Sequence, residues 1–92
     1  APARAAELGA WLLAELRARN LPPVREVRGA GLMIGLELRG RVTPYIQALQ
    51  ERGILALVAG KTVLRLLPPL IITQAELQRI VNAIDEVMHD AN

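Results

Sequence analysis

From Leu77 to Met88 the apolar residues fall at helical spacing, so that Leu77, Ile80, Val81, Ile84, Val87 and Met88 line one face. Just ahead of them Thr73 and Glu76 stand three apart, the pattern of a capping box, and Ile72 and Leu77 are placed for a hydrophobic staple. A helix with one apolar face is held in a protein chiefly by burying that face against another element. This requirement constrains everything upstream, because the rest of the chain must supply the surface.

It does so with two further helices and four strands. Residues 3–19 place Ala5, Leu8, Leu12 and Leu16 on one helical face with Trp11 beside it, and Asn20 with the Pro22-Pro23 pair ends the run. In "VREVRGAGLMIGLEL", Val24, Glu26 and Arg28 alternate against Arg25 and Val27. Gly29 and Gly31 read as a turn there, and Leu32 to Leu38 as a second strand. Thr43 reads as the cap of a second helix, with Pro44 in its first turn, Gly53 at its end, and Tyr45 or Ile46 facing inward with Leu49. "ILALVAG" gives a third strand, "AGK" a turn and "TVLRLL" a fourth strand. The order is α-β-β-α-β-β-α over residues 1–92, a single α+β domain. The natural packing is a small, mostly antiparallel sheet with helices on one face.

Composition narrows the partners. Hydrophobic residues make up 52% of the 92, yet there is one Trp, one Tyr and no Phe, so the core must be Leu, Val, Ile and Ala. The net charge is only +2, and the basic residues are scattered along the chain. Nucleic-acid binding usually wants a basic stripe with aromatic platforms, and no nucleic-acid partner is expected. No apolar run reaches the roughly 18 residues of a membrane span, so no membrane partner is expected either. The absence of Cys rules out a disulfide scaffold and agrees with a cytoplasmic location. The chain opens at Ala1, without Met and directly inside a helical pattern, which reads as a cut.

Several motifs that resemble catalytic ones fail on spacing. Gly29, Gly31 and Gly35 of "GAGLMIG" miss the dinucleotide-binding pattern by one place, and a strand follows where a helix is needed. "AGKT" has the tail of a phosphate-binding loop, but Leu55 stands where that loop needs glycine, so Lys61 reads as a solvated turn residue. His89 with Asp85, Glu86 and Asp90 reads as an exposed helix end rather than an ion site. With no Cys, no Ser and one His, there is little material for metal or nucleophilic catalysis, and neither a metal nor a catalytic residue is expected here.

The residue that needs a function is Arg65, the one charge in "TVLRLLPPLIIT". In a strand Val63, Arg65 and Leu67 share one face and Leu64 and Leu66 the other, so both faces read as apolar. A guanidinium keeps its charge, and burying it without a partner is very costly. Two accounts are open. Arg65 sits at a sheet margin, snorkelling to water or pairing with an internal carboxylate such as Glu37, or it is a fork waiting for an incoming carboxylate, stiffened by Pro68-Pro69.

"VREVRGAGLMIGLEL", "GILALVAGKTVLRLLPPLIIT" and the closing amphipathic helix together resemble the C-terminal small domain of fold-type I, class III aminotransferases, in particular the acetylornithine and aminoadipate-semialdehyde branch. The resemblance implies a pyridoxal-phosphate enzyme that moves an amino group between an ω-amine and 2-oxoglutarate in arginine or lysine biosynthesis. It implies a homodimer with active sites at the subunit interface. The family's L-R-x-x-P-P-L arginine matches Arg65, which then binds a substrate carboxylate. The family's Schiff-base lysine and cofactor-binding residues lie in a large domain and match nothing here. This chain alone is therefore expected neither to bind the cofactor productively nor to transaminate. The alternative is a free-standing, non-catalytic α/β module for interaction or small-ligand binding.

Overall fold

The computed structural model describes residues 2–31, 33–67 and 73–90. Three helices, α1 (Pro2–Ala18), α2 (Thr43–Glu51) and α3 (Gln74–Asp90), and four strands, β1 (Val24–Ala30), β2 (Met33–Leu38), β3 (Ala56–Gly60) and β4 (Val63–Leu66), follow in the order α-β-β-α-β-β-α. The sheet order is β1-β2-β4-β3, and each neighbouring pair is antiparallel. The expected α+β class and element order are both observed.

One face of the sheet carries the core. Ile34, Leu36 and Leu38 of β2 and Leu64 and Leu66 of β4 are buried against Leu8, Leu12 and Leu16 of α1 and Leu77, Val81, Ile84, Val87 and Met88 of α3. Burying side chains of this size stabilises by about 1.5–3 kcal/mol each. Helix α1 packs on β1 and α3, and α2 packs on α3 and β3. Among the described residues no polar side chain is buried, so the core holds through apolar contact alone.

Three local readings are corrected. Strict alternation groups Val24 with Glu26 and Arg28, but the register slips between Val24 and Glu26, leaving Arg25 as a bulge. The slip lets Val24 face the core beside Leu38 while Val27 does so beside Leu36. Gly29 is not in the turn; it is paired with Ile34 inside the hairpin. A Cβ there would stand 3.0 Å from Ile34 Cδ1 and 3.3 Å from Leu13 Cδ1, so both side-chain ends would have to give by a few tenths of an ångström. The turn falls at Gly31, whose φ of 59° suits glycine. Thr43 does not cap α2: the cap is Val42, with no side-chain hydrogen bond, and its carbonyl accepts the Tyr45 and Ile46 amides. Leu32, Pro68, Pro69 and Ile72 lie outside the described residues.

The remaining punctuation is as expected. Gly53 (φ 77°) donates to the Gln50 carbonyl at 3.0 Å and Ile54 to that of Leu49 at 3.0 Å, which satisfies the last carbonyls of α2. At α3 the Thr73 amide donates to Glu76 Oε1 at 2.9 Å and the Glu76 amide to Thr73 Oγ1 at 3.1 Å, closing the capping box.

Candidate functional site

Strand parity decides where Arg65 goes. Its neighbours Leu64 and Leu66 enter the core at 0% and 1% exposure, so Arg65 is turned to the opposite face, which no described element of the chain covers. Across the sheet it stands opposite Leu57 of β3 on one side and Gly35 of β2 on the other. Arg28 of β1 continues the row beyond Gly35. Strands are about 4.8 Å apart, so Arg28 and Arg65 start about two strand spacings apart, with no side chain at Gly35 between them. A Cβ at Gly35 would meet nothing within 4 Å, so the space beside Arg65 is open.

The floor around Arg65 is apolar. Leu57 (45% exposed) and Met33 (46% exposed) lie on the same face, and Leu55 is exposed just before β3. The face that reads as apolar in sequence is thus uncovered here rather than buried.

The internal-carboxylate account of Arg65 does not hold in this structure. Glu37 stands opposite Val63 and is otherwise occupied: Thr62 Oγ1 donates to its Oε2 at 2.8 Å, and Arg28 Nη2 pairs with its Oε1 at 3.5 Å. Arg28 also holds Glu26 at 2.8 Å. Among the described residues no side chain forms a hydrogen bond or ion pair with Arg65. A guanidinium fork with free N–H edges beside an apolar floor can take a carboxylate in bidentate fashion.

The other candidates resolve plainly. Lys61 is exposed in the β3–β4 turn, where its carbonyl accepts the Val42 amide at 3.0 Å. His89 lies on the last turn of α3, its Nδ1 2.8 Å from the Asp85 carbonyl and 2.9 Å from Asp85 Oδ1, while Asp85 also takes Arg19 at 2.8 Å. No cluster of metal-ligating side chains occurs among the described residues, and no helix there is long and apolar enough to cross a membrane. Leu57, the far-side neighbour of Arg65, was not singled out from sequence. Its role depends on β4 lying between β2 and β3, and no local pattern announces that order.

A scan against protein families matches residues 2–88 to "Aminotransferase class-III". The chain belongs to the class III aminotransferases. It is 44% identical over 90 residues to an ornithine aminotransferase of Exiguobacterium sp., covering 98% of this chain and 22% of that protein. To the LysW-aminoadipate semialdehyde transaminase of Deinococcus radiodurans it is 42% identical over 90 residues, covering 97% of this chain and 21% of the relative. Among solved structures it superposes on ornithine aminotransferase from Plasmodium yoelii with a TM-score of 0.85 at 28% identity, over 96% of this chain and 25% of that one. Acetylornithine aminotransferase from Elizabethkingia anophelis gives 0.81 at 29% identity, over 95% and 23% respectively. The chain spans about a fifth of the length of the curated relatives it matches.

Proposed function

We propose that these residues are the C-terminal small domain of a larger pyridoxal-phosphate-dependent transaminase, and that Arg65 binds the carboxylate of its amino-acid and 2-oxo-acid substrates. The substrate class is ω-amino, of the ornithine, acetylornithine or aminoadipate-semialdehyde type, with glutamate and 2-oxoglutarate as the partner pair. The enzyme works as a cytoplasmic homodimer in arginine or lysine biosynthesis. The observation that carries the reading is Arg65 itself, exposed on the helix-free face of the sheet between Leu57 and Gly35.

The cofactor of this family carries the amino group during transfer. The residues of this chain do not fit it. A Schiff-base lysine works from a desolvated or cationic environment, whereas Lys61, the sole lysine, sits exposed in a turn. On this reading the cofactor is held by the rest of the protein, and this domain supplies the substrate's counter-ion. Arg65 then lowers the free energy of the bound substrate and fixes its orientation, and it moves no proton.

The test is steady-state kinetics of the full-length enzyme carrying Arg65→Ala or Arg65→Lys. Removing one partner of a desolvated charge pair costs about 2–5 kcal/mol, so Arg65→Ala should lower kcat/KM by about thirtyfold or more. Arg65→Lys keeps the charge without the fork and should recover only part of the loss. Wild-type kinetics of Arg65→Ala toward both glutamate and the ω-amine would eliminate the role.

A further inference from the structure

Five of the ten arginines, all within residues 17–39, converge on one groove of about 620 Å³ between the C-terminal end of α1 and the edge strand β1. These are Arg17, Arg19, Arg25, Arg28 and Arg39, and the one carboxylate in the lining, Glu26, is already bonded to Arg28 at 2.8 Å. Arg19 is spent on Asp85 at 2.8 Å and on Asn82 at 3.2 Å. The other three have no carboxylate partner among the described residues. Arg17 donates Nε and Nη2 to the Val27 carbonyl at 3.1 and 2.9 Å, and Arg39 donates Nε to that of Pro22 at 3.3 Å. Backbone oxygens thus hold two of these guanidiniums in place without neutralising them. Arg25, the bulge residue, is exposed and bonded to no described side chain.

We propose that this groove docks an acidic polypeptide segment, whose carboxylates land on Arg17, Arg25 and Arg39. Arginine clusters of this kind recognise acidic motifs through charge-assisted hydrogen bonds. The positive charge is spread along the edge of β1 rather than gathered at one point, which suits a chain of carboxylates better than a single oxyanion. No aromatic side chain lines the groove, so a nucleobase would find no stacking platform. The segment binds through side chains and not by adding a strand, because Arg17 already occupies the outward carbonyl of Val27 on the β1 edge. None of this depends on the role of Arg65.

The experiment is fluorescence anisotropy of a fluorescein-labelled octaglutamate peptide with the full-length protein, each variant first checked for an unchanged melting temperature. Wild type should bind, and binding should weaken as salt rises to about 0.15 M. The double variant Arg25→Glu, Arg39→Glu should weaken binding at least about tenfold, and Arg25→Lys, Arg39→Lys should keep most of it. Arg79→Glu, an exposed charge outside the groove, should leave it unchanged. Four results would overturn the proposal: no binding by wild type, no loss in the double variant, an equal loss in Arg79→Glu, or displacement by inorganic phosphate as effective as by unlabelled peptide.

Discussion

Two glycines show how a missing side chain can serve opposite ends. At Gly9, in α1, a Cβ would run into the carbonyl oxygen of Gly31 in the β1–β2 turn. Alanine would raise helix propensity by about 1 kcal/mol, but the obstacle is backbone, and overpacking costs about 1–3 kcal/mol. The clash should win: Gly9→Ala lowers the midpoint of urea denaturation, and a raised midpoint would refute the close approach. Gly35 is the reverse case. Its missing Cβ leaves open space beside Arg65. Gly35→Val should therefore leave the melting temperature near wild type while raising KM for carboxylate substrates roughly tenfold, a contact worth about 1.4 kcal/mol. Unchanged KM would place substrate elsewhere.

Among the elements, α3 has the best-defined start. The Glu76 carboxyl is held below its ordinary value of 4.5, first by the Thr73 amide, then by the Thr73 hydroxyl, with Arg79 nearby. A depressed folded value means the capping contribution is fully present above the unfolded value and is lost as pH falls through the folded one. Amide exchange at Gln74 to Leu77 should therefore quicken as pH drops below about 4.5, after correction for intrinsic exchange. Glu76→Gln should flatten that dependence. Thr73→Ala removes the hydroxyl half of the box and should cost about 1 kcal/mol, read from the urea midpoint. The capping box was legible because its residues are three apart. The cap of α2 was misread because Thr43 is a good capping type one place too late; the helix starts from Val42 without a side-chain bond.

The whole molecule is a two-sided object. The helix-covered face is closed over β2 and β4 but leaves Val58 of β3 60% exposed, and the other face presents Arg65, Met33 and Leu57. If a larger domain covers that face in the complete enzyme, the 92-residue chain alone should self-associate through it. Sedimentation velocity should show concentration-dependent dimers that Met33→Lys with Leu57→Lys disperses, and a monomer at all concentrations would count against the covering domain. The same reading expects the native polypeptide carrying "LRLLPPL" to be several times longer than this chain. Mass measurement of the protein from its source cells decides it, since a native chain of this size would mean a free-standing module.

The sequence by itself determined the elements and their order, because helix periodicity, strand parity and the glycine and capping signals act over a few residues. It also determined that Arg65 and the Leu64–Leu66 pair face opposite ways, since side chains alternate strictly along a strand. Only the tertiary structure decided which of those faces is covered, that β4 lies between β2 and β3, and that the Arg25 bulge turns Val24 toward the core. Only it gathered Arg17, Arg25 and Arg39 into one groove. The physical reason is common to all of these: pairing between strands and packing of helices on sheets join residues of different elements, and nothing local in the chain encodes which will meet.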